Sequence, residues 1–146
     1  MRKHLWQRRF ARFALPVIWI AIISALSTHV FSIMQTGPIV MPFLQWLLPS
    51  SSSETLNLFH VGIRKGLHLL EFAILALLWY RSLSPKGAGW HASVAATTLI
   101  LAISCASLDE FHQLFVPGRT GSLSDVGLDG LGAALALTVC RGIRRS

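Results

Sequence analysis

WHASVAATTLILAISCASLDEFHQLFVPGRTGSLSDVGLDGLGAALALTV, residues 90–139, is two apolar runs joined by a polar turn. The first run, about Trp90 to Leu108, has close to the roughly 20 residues with which a helix crosses about 30 Å of hydrocarbon. Its Ala, Ser and Thr content suits close helix packing in lipid. Pro117, Gly118, Arg119 and Gly121 mark the turn. The second run, about Ser124 to Val139, is shorter and opens with acidic residues. The stretch reads as a helical hairpin through a bilayer.

Toward the N-terminus the pattern repeats. A run from about Val61 to Tyr80 closes on Arg81 and on Ser84, Pro85, Lys86, Gly87 and Gly89. Another, Phe13 to Phe31, follows a basic start; it is long for the apolar core of a signal peptide, and three further runs come after it. Pro16 near its beginning fits a first helical turn. Between these runs, Gly37, Pro38, Pro42, Pro49 and Ser50 to Ser53 predict a connecting loop over 34–60, with a short interfacial segment anchored by Trp46. The expected fold class is all-α: an integral membrane bundle of about four transmembrane helices. Residues 1–12 form a basic cytoplasmic N-terminus, 13–140 the transmembrane domain and 141–146 a basic cytoplasmic C-terminus.

Composition agrees. Hydrophobic residues are 53% of the 146 and charged residues 13%, with mean hydropathy +0.57, too little polar surface for a soluble globule of this size. The net charge of +7 could suggest nucleic acid, but the cations flank apolar runs and form no RNA- or DNA-binding motif. Ten of the thirteen lysines and arginines fall on the side shared by both termini and the 81–89 loop, which places that side in the cytoplasm. Arg64, Lys65 and Arg119 are the exceptions. All six acids, Glu54, Glu71, Asp109, Glu110, Asp125 and Asp129, map to the opposite, outer side. Cys105 and Cys140 sit at different depths and are expected to remain unpaired.

Ionisable groups cost roughly 2.5 to 3.5 kcal/mol each at the bilayer centre, so a cluster within spans marks function or pairing. Lys65, His68 and Glu71 stand three apart and form one slanting stripe on a helix. Asp109 and Gln113 share a face, with Glu110 and His112 beside them. Asp125 and Asp129 repeat that four-residue spacing, and Gly132 and Ala136 continue the stripe as small residues that let a neighbouring helix approach. Asp125 also fits a helix N-terminus, with Ser122 and Ser124 as caps. Asp129 lies deeper and needs a cationic partner, for which Lys65, Arg119 and Arg64 are the choices.

The strings Lys65-x-x-His68-x-x-Glu71-Phe72, Asp109-Glu110-Phe111-His112-Gln113-Leu114-Phe115-Val116-Pro117-Gly118-Arg119 and Asp125-x-x-x-Asp129-x-x-Gly132 resemble the VanZ-like family over roughly residues 15–140. The resemblance implies a small multi-span protein of the bacterial cytoplasmic membrane, in a family whose namesake is associated with low-level resistance to the glycopeptide teicoplanin. Asp129 stands where that family often has Asn, and Ala136 where it often has Gly.

Two classes of function fit. In one, an outward-facing site binds or modifies the head group of a membrane lipid or a lipid-linked envelope precursor. Lys65 and Arg119 would then hold phosphate or carboxylate, with Gln113, Asp125 and Asp129 lining the site. His68 or Glu71 would act as general base, and Asp109 and Glu110 would orient. In the other, the charged cluster locks the helices together and has no ligand. A transporter is disfavoured, because four short spans leave little room for alternating access. No cofactor is predicted; His68-x-x-Glu71 could contribute to a divalent-cation site but is not by itself a ligand motif. Trp6, Trp19, Trp46, Trp79 and Trp90 read as interfacial anchors, and His4, His29 and His91 as incidental. The bearing of His60 stays open. Reporter fusions should place the segment 111–123 outside the cell and the segment 81–89 inside; a cytosolic signal from 111–123 would remove the setting of the cluster.

Overall fold

The computed structural model describes residues 2–28, 33–85, 89–117, 119 and 121–144, side chains at 2–10, 33 and 34 excepted. His29, Phe31, Lys86, Gly87, Gly118 and Arg145, and the side chains of Arg2, Lys3, His4, Trp6, Arg8 and Arg9, to which the sequence assigns roles, lie outside the described residues. Among the described residues there are five helices and no strand: α1 (Arg2–Leu26), α2 (Ile33–Leu47), α3 (Ser53–Leu83), α4 (Ala92–Gln113) and α5 (Leu123–Ile143).

α4 and α5 are long and apolar enough to cross a membrane, with mean hydropathies of 1.6 and 1.4, and α1 carries a shorter apolar stretch, Ala11–Leu26. Large apolar side chains face outward all along the bundle, among them Val17, Ile18, Ile100, Leu135 and Val139. Together with two helices long and apolar enough to cross a bilayer, this is a surface suited to a membrane protein. α3 carries Arg64, Lys65, His68 and Glu71 before its most apolar stretch, 72–80.

Three boundaries differ from the sequence reading. The segment expected to be a loop folds into α2, with Pro38 and Pro42 inside the helix. Leu44 is buried, whereas Ile39, Phe43 and Trp46 are exposed, so one face packs and the other is free to enter an apolar phase. α3 begins at Ser53, well before the apolar run, because Ser52 caps it by accepting from the Thr55 backbone N–H. Its 31 residues span roughly 45 Å at about 1.5 Å per residue, more than the hydrocarbon thickness. Pro16 lies in the middle of α1 rather than in its first turn. Proline has no N–H to offer the carbonyl of Arg12 four residues back, and the Ser82 hydroxyl donates to that carbonyl instead at 2.6 Å.

α3 is the hub and touches every other helix. Its partners on α5 follow in the same order along both helices: Lys65 with Asp125, His68 with Asp129, Leu69 with Gly132, Tyr80 with Arg144. The two helices therefore run parallel, with α4 antiparallel beside them. Small residues make this possible. Ala102 and Ala106 of α4 and Gly132 and Ala133 of α5 are buried against Phe72, Leu75, Ala76 and Tyr80 of α3. Ala136 is only half-buried, so the small-residue stripe turns through Ala133 toward Leu137. Cys105 and Cys140 are both free.

A Cβ on Gly132 would run into the backbone of Leu69, which cannot swing aside as a side chain can. Gly132→Ala should therefore lower the thermal stability of the detergent-solubilised chain by roughly 1–3 kcal/mol, the usual cost of overpacking. Gly127→Ala, whose Cβ meets nothing within 4 Å, should not. An unchanged melting temperature for Gly132→Ala would contradict the close α3–α5 approach.

Candidate functional site

The middle of α3, around Lys65 and His68, lies beside the start of α5, and the ends of α4 and α1 join it there. This brings the singled-out polar residues into one region but divides them into two groups.

The first group is closed on itself. Asp109 Oδ2 accepts from the Ser27 hydroxyl at 2.7 Å and from Gln113 Nε2 at 2.8 Å, the latter as the four-residue spacing predicts. Glu110 Oε2 accepts from the backbone N–H of Ser122 at 2.7 Å, which ties the end of α4 to the start of α5. Gly121 makes that join possible, because a Cβ there would meet the Glu110 carbonyl and Leu114. Arg119 is buried, and its Nη2 donates to the carbonyls of Leu26 and Thr28 at 2.8 and 3.1 Å. These are carbonyls at the C-terminal end of α1, where a cation also suits the helix dipole. Burial draws the Arg119 pKa below its usual value and nearby Arg64 adds to this, while Asp109, Glu110 and Glu71 oppose. The guanidinium nonetheless keeps its charge at neutral pH. The sequence reading gives Arg119 to a ligand; the structure gives it to α1.

The second group is open. Arg64, Lys65, His68, Ser122, Ser124 and Asp125, with Val61 and Leu128, line a cavity of about 290 Å³ between α3 and α5. Lys65 Nζ donates to Asp125 Oδ1 at 2.9 Å across it, and both side chains are partly exposed. Ser122 caps α5 by accepting from the Ser124 N–H. Ser124 is not a second cap, although its hydroxyl lies 2.7 Å from that of Ser122.

Asp129 lies on the other side of His68 from the cavity rim. It is fully buried, and neither carboxylate oxygen has a hydrogen-bond partner. Its partner is not one of the three cations that the sequence offers: His68 Nδ1, also buried and unbonded, is 3.9 Å from Oδ1, too far for a hydrogen bond. Lys65 cannot serve Asp129 because it is paired one turn up with Asp125.

Glu71 is half-buried and its carbonyl accepts from the Trp19 indole N–H at 2.9 Å, so that tryptophan fastens α1 to α3. His60, whose bearing the sequence leaves open, is buried and lies 3.1 Å from the Thr36 hydroxyl of α2. A second, mostly apolar cleft of about 210 Å³ between α1, α3 and α4 reaches Asp109 and His112 at one end. Among the described residues no three His, Cys, Asp or Glu side chains converge as metal ligands would. The sequence reading misses Ser27 and the backbone N–H of Ser122. A lone hydroxyl at the end of an apolar run is the only signal for the first; the second has none.

The two groups should respond differently to mutation. Arg119→Gln withdraws donors from buried carbonyls, where bonds to a charged group contribute roughly 1.5–3 kcal/mol each, and should lower the melting temperature clearly. Lys65→Gln removes an exposed pair of a kind worth about 0–1 kcal/mol and should leave it nearly unchanged. Thermal unfolding of both variants in detergent checks the division; equal losses would contradict it.

The family model described as VanZ/LLP1 matches residues 8–144. No curated protein and no solved structure matches the chain.

Proposed function

The chain belongs to the VanZ/LLP1 family, and from that premise we propose that it is a multi-pass protein of the bacterial cytoplasmic membrane whose outward-facing polar site binds or modifies the head group of a lipid or a lipid-linked envelope precursor. In this reading α1, α3, α4 and α5 are the four spans, both termini are cytoplasmic, and α2 lies at the outer interface. The charge distribution along the sequence supports the orientation, since ten of thirteen cations belong to the termini and the 81–89 loop and none of the six acids does. By acting on envelope lipids, the protein would alter susceptibility to glycopeptides such as teicoplanin, as the resemblance implies.

One observation carries the reading. Arg64, Lys65, His68 and Asp125 line a cavity; Arg64 is in no ion pair with a described residue, and Lys65 and Asp125 are tied to each other by a partly exposed bridge. A head group there would reach charged side chains from the membrane surface without crossing the bundle. The competing reading, a structural lock without a ligand, has its own support: Asp109, Glu110, Gln113 and Arg119 are engaged within the protein. We assign the lock to those four residues and the ligand to the cavity.

Purified full-length protein should retain a lipid with a charged head group, identified by mass spectrometry of the extracted material. Lys65→Gln and His68→Ala should deplete that lipid, and should abolish any change in teicoplanin susceptibility of producing cells, at unchanged membrane levels. If both variants retain the lipid and the phenotype while only Arg119→Gln loses them, the structural lock is the correct account.

A further inference from the structure

The cavity between α3 and α5 is built for one chemistry more than for others. Its wall carries two cations, Arg64 and Lys65, against a single carboxylate, Asp125, which is bound to Lys65. Arg64 forms no ion pair with a described residue. The hydroxyls of Ser122 and Ser124 stand opposite, 2.7 Å apart. Four N–H groups at the start of α5 are already in use: that of Ser122 goes to Glu110, that of Ser124 to Ser122 Oγ, and those of Asp125 and Val126 to the Ser122 carbonyl. Side chains therefore supply most of what the cavity offers an anion.

A second observation comes from behind the wall. Asp129 is completely buried with both oxygens unbonded, and it faces Nδ1 of His68, itself unbonded. Buried polar groups are nearly always satisfied, so this facing pair calls for a role, and His68 is the member that lines the cavity.

We infer that this cavity is a phosphoryl-binding site, in which Arg64 and Lys65 hold the oxygens of a phosphate ester, the Ser122 and Ser124 hydroxyls donate to them, and His68, positioned by Asp129, closes the cage. The inference rests on the head-group reading above and narrows it to phosphate-bearing head groups. Asp125 opposes the ligand twice, by its own charge and by holding Lys65. Its carboxylate is thus a brake on affinity.

The test uses full-length protein in dodecyl maltoside and titration calorimetry with three probes: dihexanoyl phosphatidate, dihexanoylglycerol of the same chain length, and inorganic phosphate. Phosphatidate should bind and dihexanoylglycerol should not. Arg64→Gln/Lys65→Gln should weaken phosphatidate about tenfold or more, the scale of one lost charge-assisted bond. Asp125→Asn should tighten it severalfold, a gain that a damaged fold does not produce.

Equal binding of the glycerolipid and phosphatidate, or weaker binding by Asp125→Asn, overturns the phosphoryl site and leaves a lipid reading in place. Tight binding of inorganic phosphate with exclusion of phosphatidate supports the phosphoryl site and overturns the lipid reading. Binding of phosphatidate with displacement by millimolar phosphate supports both. Because the micelle assay is blind to orientation, a failed topology experiment does not affect it.

Discussion

The close parallel approach of α3 and α5 governs the rest of the molecule. Gly132 lets the backbone of Leu69 come so near that no side chain fits between them. One turn away, that approach seals the Asp129 carboxylate from solvent; two turns away it brings Lys65 against Asp125. Toward the other end it continues through Ala76, Ala133 and Leu137 to the Arg144 guanidinium over the ring of Tyr80. In an apolar phase there is no hydrophobic drive to press helices together, so contact between small residues and backbone has to supply the attraction. α3, which carries Arg64, Lys65, His68 and Glu71, is then kept at the centre, in contact with four neighbouring helices.

Around this seam the polar residues divide by what they do. Asp109, Gln113, Glu110 and Arg119 satisfy backbone and hydroxyl groups at helix ends, and those groups would be costly unpaired in or near lipid. Their bonds run between α1, α4 and the start of α5. The cavity residues span α3 and α5, which the close approach at Gly132 already holds together. The Lys65–Asp125 bridge adds to that seam, and Arg64 is in no ion pair with a described residue.

Much of this was legible in the residues. The apolar runs at 90–108 and 124–139 became α4 and α5, and the four-residue spacing did put Gln113 on Asp109. Unreadable were features that depend on a third element. Pro38 and Pro42 argue against a helix on local grounds, yet α2 forms because α3 gives it a face to bury Leu44 upon. Pro16 looks like a helix start until Ser82, far along the chain, is seen to serve the carbonyl that it orphans. Arg119 looks like a ligand-binding arginine because nothing in the sequence says that the end of α1 comes to it. Spacing reports which residues share a face; it does not report which backbone groups elsewhere lack a donor.

Asp129 brings these threads together. Its neighbourhood is set by packing, which would be served as well or better by an apolar side chain of similar size. No hydrogen bond rewards the carboxyl group, and the His68 imidazole that faces it stands beyond hydrogen-bonding distance. Every other acid at this end of α4 and α5 has found a donor: Asp109 a hydroxyl and an amide, Glu110 a backbone N–H, Asp125 an ammonium. A carboxyl group without a hydrogen bond, where the other acids of α4 and α5 have one, is not explained by the fold. In the phosphoryl-site proposal it is explained by the imidazole that it faces, whose position would matter to whatever enters the cavity that His68 lines.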